Sequence, residues 1–241
     1  MLTYICCIVL FGSECFYCQT RQQNRYMIIY GPIGFYAKRV SMHTLLLATS
    51  NLHKLEEFRA IFSDLPMRLL SLSDIQLVVD VEETGSTFTE NAELKARTYA
   101  QMSHMLTLAD DSGLEIDALG GAPGVQSARY LGRETSYEER FCVILEQLQG
   151  LPLDQRSARF RCVIALAEPS GTILMVEGVV EGVIADRPRG VHGFGYDPIF
   201  FLPELGKTFA ELGPEYKNRI SHRARAAQSA RKLLEEWPYD S

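Results

Sequence analysis

Two adjacent acids, Asp110 and Asp111, follow the apolar run 105–109 and precede Ser112 and Gly113. The run reads as a buried strand that ends at its carboxyl edge, where open α/β sheets present ligand sites. Side chains alternate across a strand, so the two acids cannot share one task. One can face a metal or a water while the other ties down the loop. Ser112 and Gly113 read as the turn that follows. Asp and Ser also favour ordinary turns, and the stretch alone fits a solvated turn equally well.

Other chemistry-bearing residues are spread along the chain. Glu82 and Glu83 lie in a Gly-containing loop ahead of a helix. Either is a solvated charge or a hard-metal ligand, since Mg²⁺ takes one or two carboxylates plus substrate phosphates. Thr49, Ser50, Asn51, Leu52, His53 and Lys54 join an apolar strand, 44–49, to a helix with Leu52, Leu55, Phe58 and Phe62 at helical spacing. That arrangement aims free backbone N–H groups and a positive dipole end at an anion, and Lys54 adds a charge. It is not a Walker A loop, and Ser50 or Asn51 also fits as a plain N-cap. Gly193, Phe194, Gly195, Tyr196, Asp197 and Pro198 suit a loop wrapping a flat ligand, with Phe194 stacking and Asp197 accepting from ring N–H groups; a turn with a core phenylalanine fits too. Lys217 precedes Ser221, His222 and Arg223, which open the last helix. Cations at a helix N-terminus gain nothing from its dipole, which suggests that they face an electron-rich ligand.

The elements that must position these groups follow from pattern. Strands are expected at 67–72, 114–119 and 199–202, and a hairpin joins 158–167 to 172–185 across Glu168 to Gly171. Thr87 with Glu90 forms a capping box for a helix to about Ser103 whose stripe is Ala92, Lys95, Ala96 and Ala100; Ser136 with Glu139 caps another ending at Gly150. Gly120 to Gly124 is a tight loop without the lysine or hydroxyl of a P-loop. The chain has 241 residues, 46% hydrophobic and 22% charged, which suits a globular protein with a sizeable core. Its net charge of −6 gives no sign of a nucleic-acid or membrane partner. No apolar run reaches the length of a transmembrane helix.

Residues 1–41 stand apart. They hold four of the six cysteines and a net charge of +3, leaving −9 for residues 42–241. No helix or strand periodicity is sustained there. The CxxC of Cys15 and Cys18 lacks a second pair, and a signal peptide fits poorly. The expectation is a poorly ordered extension, or a translated upstream segment with Met42 as the native start. Residues 42–241 then form a single domain, with Cys142 and Cys162 as buried reduced thiols.

Together, Ser50-Asn-x-x-Lys54, Glu82-Glu-Thr-Gly85, Ala109-Asp-Asp-Ser-Gly113, Gly120-Gly-Ala-Pro-Gly124, Ser127-Ala-Arg129, Gly193-Phe-Gly-Tyr-Asp-Pro198 and Ser221-His-Arg223 resemble the inosine triphosphate pyrophosphatase family, in bacteria the dITP/XTP pyrophosphatases. The resemblance covers residues 45–234. It implies an elongated, two-lobed α/β fold with a long curved mixed β-sheet flanked by helices. It also implies a cytoplasmic homodimer, one Mg²⁺ per subunit, and hydrolysis of dITP, ITP and XTP to the monophosphate and pyrophosphate. By resemblance, Glu83 and Asp111 bind the metal and Asp111 is the catalytic base. Thr49 to Lys54 hold the triphosphate. Ser112, Phe194, Gly195, Tyr196, Asp197, Lys217, His222 and Arg223 contact the nucleotide. His222 and Arg223 suit a 6-oxo purine. Two alternatives remain: a non-catalytic nucleotide sensor, which would need neither carboxylate, and an enzyme of the septum-inhibitor (Maf-like) group.

Overall fold

The computed structural model describes residues 16–19, 25–31, 34–40 and 43–237. The chain divides into two compact units, Met1–Thr44 with Pro66–Arg68, and Leu45–Leu65 with Leu69–Ser241. In the first, strands β1 (Phe16–Gln19), β2 (Arg25–Gly31) and β3 (Gly34–Val40) form an antiparallel sheet in that order. Cys15 and the possible start at Met42 lie outside the described residues.

The main sheet has seven strands. They are β4 (His43–Leu47), β5 (Met67–Ser71), β6 (Thr107–Ile116), β7 (Ser157–Ala167), β8 (Ile173–Ile184), β9 (Phe200–Leu202) and β10 (Lys207–Thr208). Their spatial order is β10-β9-β8-β7-β6-β4-β5. β6 runs parallel to β4 and antiparallel to β7, so the sheet is mixed, as expected for this α/β chain. The hairpin of β7 and β8 keeps one register from Ser157↔Val183 to Ala167↔Ile173.

The helices begin where side chains satisfy their first N–H groups. α1 (Leu52–Ile61) is capped by Asn51, and α2 (Phe88–Ser103) by the Thr87/Glu90 box. α3 (Tyr137–Gln147) is capped by the Ser136/Glu139 box, and α5 (His222–Glu235) by Ser221. α4 (Pro214–Ile220), with Pro214 in its first turn, is not foreseen from the sequence. Ala92, Ala96 and Ala100 of α2 are fully buried against Ala109, Val163 and Ala165, so small side chains on both sides let the helix lie close to the sheet. A second cluster joins Leu114 and Ile116 to Ile144, Phe160, Phe200 and Phe209.

The expected turn at Ser112-Gly113 does not exist. β6 continues unbroken through both acids to Ile116, and every residue from Thr107 to Ile116 is paired with β7. The expected separate strand at 114–119 is the end of β6 followed by a single 3₁₀ turn, Asp117–Leu119. The long partner overrides the local turn preference, because each added ladder bond satisfies backbone groups that burial would otherwise leave orphaned. Gly113 serves close approach instead: a Cβ there would sit 2.4 Å from Ser127 Oγ. Cys162 is buried but Cys142 is exposed, on the outer face of α3.

Candidate active site

Because β6 does not stop, Asp110 and Asp111 point to opposite faces of one central strand, and each meets different partners. Asp111 follows Ala109 onto the α2 face. It is 5% exposed. Its Oδ2 accepts from Asn91 Nδ2 at 3.0 Å, and its Oδ1 accepts from the Ser112 N–H at 2.9 Å and lies 3.9 Å from Lys95 Nζ. Burial raises its pKa, with the Glu83 charge adding to the rise against the pull of Lys95 and Lys54.

Glu83 reaches the same place from the loop before α2. Its Oε1 lies 2.5 Å from Lys95 Nζ and its Oε2 2.9 Å from Arg129 Nη1. Asn91, fully buried, organises the pair: its Oδ1 accepts from Gly85 N–H at 2.7 Å while its amide holds Asp111. Glu83 and Asp111 therefore converge on one ammonium, at the spot a hard cation would suit. Two carboxylates whose oxygens keep a second lone pair beside their present partners fit Mg²⁺. Among the described residues no group of three His, Cys, Asp or Glu gathers there, so phosphate or water oxygens would complete the shell.

Asp110 faces the other side, following Leu108. Its Oδ2 takes Lys54 Nζ at 2.8 Å, Ser112 Oγ at 3.2 Å and Arg223 Nη2 at 3.6 Å. Burial works to raise its pKa, but Lys54, Arg223 and Lys95 outweigh it and hold the carboxyl below the usual range. Asp110 stays charged and anchors two cations.

A chain of ion pairs extends from there. Arg223, 1% exposed, donates to Ser112 Oγ at 2.8 Å and to Glu57. Glu57 also holds Lys217 Nζ at 2.9 Å, and Lys217 Nζ lies 2.5 Å from Asp197 Oδ2. Asp197 accepts from the Phe194 N–H at 2.8 Å, which closes the loop 193–198 on itself. Phe194 has the Lys217 ammonium 4.5 Å from its ring centre and stacks on His53 at 5.1 Å. Tyr196 is a core residue whose hydroxyl donates to Ser127 C=O at 3.0 Å.

His222 stacks on Phe160 at 4.6 Å, and its Nδ1 is buried with no hydrogen-bond partner in the protein; Arg223 Nε is in the same condition. Burial, aided by the positive charge of Arg223 and Lys217, lowers the His222 pKa well below its ordinary value. A neutral buried His must charge as pH falls below the unfolded value of about 6.5, so stability present above that pH is lost below it. Between pH 7.5 and 5.5, urea unfolding should show a loss approaching about 1.4 kcal/mol per pH unit in the lower half of that range. His222→Gln should flatten this slope; equal slopes in both proteins would refute the assignment.

Most of these groups line one cleft of about 410 Å³, with Glu57, Asn91 and Asp110 set behind its wall. It gathers Thr49, Ser50, Asn51, Lys54, Glu83, Asp111 and Ser112 with Phe194, Gly195, Tyr196, Asp197, Lys217, His222 and Arg223. Two residues of the sequence reading fall outside it. Leu52 is the first residue of α1 and is 70% exposed, with its side chain in solvent. His53 lines a neighbouring groove behind Phe194. The Asn51 side chain accepts from the N–H groups of His53 and Lys54 at 3.0 and 3.2 Å, so the cap occupies donors the sequence reading offered to an anion. Sequence reasoning does not assign Glu57, Asn91, Lys95 or Arg129 a place in the site, and leaves Asp110 only the task of tying down a loop. Asn91 and Lys95 carried a usable signal, being polar residues four apart on the alanine face of α2; Glu57 carried none.

Fold and cleft define an α/β protein with a preformed pocket in which buried carboxylates are interleaved with cations. The chain belongs to the Ham1 family, which it matches over residues 45–233. A dITP/XTP pyrophosphatase of Geobacillus kaustophilus is 49% identical over 81% of this chain and 95% of the relative. One from Bacillus subtilis is 46% identical over 81% and 99%. Among solved structures, a HAM1 protein from Coxiella burnetii is 46% identical with a TM-score of 0.75, covering 81% of this chain and all of that one. A nucleoside-triphosphatase/dITP/XTP pyrophosphatase from Mycobacterium abscessus is 40% identical with a TM-score of 0.64, over 79% and 99%. The resemblance read from the motifs is thereby borne out. No helix among the described residues is long and apolar enough to cross a membrane.

Proposed function

We propose that this chain hydrolyses the non-standard purine nucleoside triphosphates dITP, ITP and XTP to the monophosphate and pyrophosphate. It would do so with Mg²⁺, as a cytoplasmic homodimer built on the single catalytic domain 42–241. The observation that carries the reading is the split of the double aspartate. Asp111 faces the cleft beside Glu83, and Asp110 locks Lys54 and Arg223 into the same cleft from below. A sensor would need a charged pocket but no buried carboxylate of raised pKa. The names of the relatives support the same chemistry.

Glu83 and Asp111 would hold the metal, which when bound neutralises phosphate charge and orients the scissile linkage. Asp111 positions a water and accepts its proton; a pKa raised by burial above its ordinary value makes it a better base than a solvated carboxylate. Asn91 and the Ser112 N–H fix the orientation of that carboxylate. Lys54 adds a charge at the phosphate end, and the Asn51 cap fixes the turn that carries it. At the base end, the unpartnered His222 Nδ1 and Arg223 Nε offer hydrogen bonds to a 6-oxo purine. An adenine amine would leave the Arg223 donor unpaired, which costs strongly in a buried site.

Purified protein with Mg²⁺ should release pyrophosphate from dITP and XTP and little from dGTP or ATP, and EDTA should abolish the release. Single phosphate instead of pyrophosphate, or tight binding without turnover, would overturn this reading.

A further inference from the structure

Arg129 lies on the cleft wall with a use that neither the fold nor the catalytic scheme explains. Its guanidinium grips Glu83 at two points: Nη1 donates to Oε2 at 2.9 Å, and Nη2 to the Glu83 carbonyl at 3.3 Å. Nε donates to Gln126 Oε1 at 2.7 Å, which fixes the plane of the fork. The Arg129 side chain is 23% exposed and that of Glu83 24%, so the pair is open to the cleft rather than sealed in the core. Lys95 holds the other oxygen of Glu83. In the free protein, both oxygens of the expected metal ligand are thus taken by cationic side chains.

A divalent cation on Glu83 meets two cationic side chains already paired with it, and like-charge repulsion works to loosen this grip. The displaced guanidinium stays tethered beside the cleft with its planar donors free, and that geometry matches phosphate oxygens. We propose that Arg129 is an exchange residue: it neutralises Glu83 in the free protein, and it transfers to the polyphosphate when a metal takes Glu83. This rests on the reading of Glu83 as a metal ligand. Its consequence is mutual reinforcement, because metal on Glu83 releases Arg129 for phosphate, and phosphate holding Arg129 releases Glu83 for metal.

The signature is a pair of opposite changes. Mn²⁺, a hard-cation stand-in for Mg²⁺, is titrated alone into the whole protein and followed by electron paramagnetic resonance. Tripolyphosphate is titrated by calorimetry with and without Mn²⁺. Arg129→Ala should bind Mn²⁺ more tightly by about threefold, as a competitor for Glu83 is gone. It should bind tripolyphosphate in the presence of Mn²⁺ about tenfold more weakly. Arg129→Gln, which keeps more of the stem, should give the same two signs. Arg133 is exposed on the same cleft and serves as the control for general charge. In 0.15 M salt Arg133→Ala should leave Mn²⁺ affinity within about twofold.

Unchanged or weaker Mn²⁺ binding in both Arg129 variants, with Glu83→Gln abolishing it, would overturn the exchange and leave the metal assignment standing. Equal tightening by Arg133→Ala would also overturn it. Mn²⁺ binding untouched by Glu83→Gln would remove the metal assignment itself, and the exchange with it.

Discussion

Replacing Asp111 with Asn should cut pyrophosphate release from dITP by about 10³-fold while nucleotide affinity survives. The substitution keeps the size of the side chain and an oxygen that can still accept from Asn91 or the Ser112 N–H, so the strand and its packing persist. On the proposed scheme it removes the acceptor of the water's proton and one of the two proposed metal ligands. Asp110→Asn makes the contrast. It leaves the base in place but withdraws the charge that holds Lys54 and Arg223. Its effect should fall mainly on KM, because the proposed scheme puts both cations on the substrate rather than on the attacking water. Steady-state kinetics of the two variants, with affinity measured by calorimetry, separates the roles. A near-native rate in Asp111→Asn refutes the assigned base.

Gly178→Ala should lower stability by about 3 kcal/mol and Tm by about 6–12 °C for a domain of this size. Gly178 lies on β8 where α5 crosses it, and a Cβ there would sit 2.2 Å from the His222 carbonyl oxygen and 2.4 Å from the Ala226 nitrogen. Both obstacles are backbone, so no side-chain rotation relieves the clash and the first turn of α5 must move. That turn carries His222 and Arg223, so activity should fall by more than the lost stability explains. Thermal unfolding and KM for dITP report the two effects. A Tm within about 2 °C of native would show that α5 is not seated on β8 in this way.

Much of the fold is legible because its signals are local. The capping boxes at Thr87/Glu90 and Ser136/Glu139, the cap at Ser221 and the hairpin at Glu168 to Gly171 all rest on residues within a few positions of each other. The alternation argument for Asp110 and Asp111 needed only the period of a strand, and the structure confirms it. The motifs also carried the family, since their order and types are read directly from the chain.

The end of β6 was not legible. Asp-Asp-Ser-Gly reads as a turn until a long antiparallel partner arrives from residues 157–167, and that pairing lies outside any local window. The same holds for the site's charge arrangement. Lys54 meets Asp110 across 56 residues, and Arg223 meets Glu57 across 166. The types and spacing of residues determined which chemistry this protein could hold and where its helices and hairpin begin. The family resemblance pointed to Asp111, but only the tertiary structure decided that Asp110 anchors cations beneath the cleft and that Arg129 covers Glu83. Caps and periodicity are set by neighbours in the chain, whereas the partner of a buried charge is set by whichever distant segment burial brings within reach.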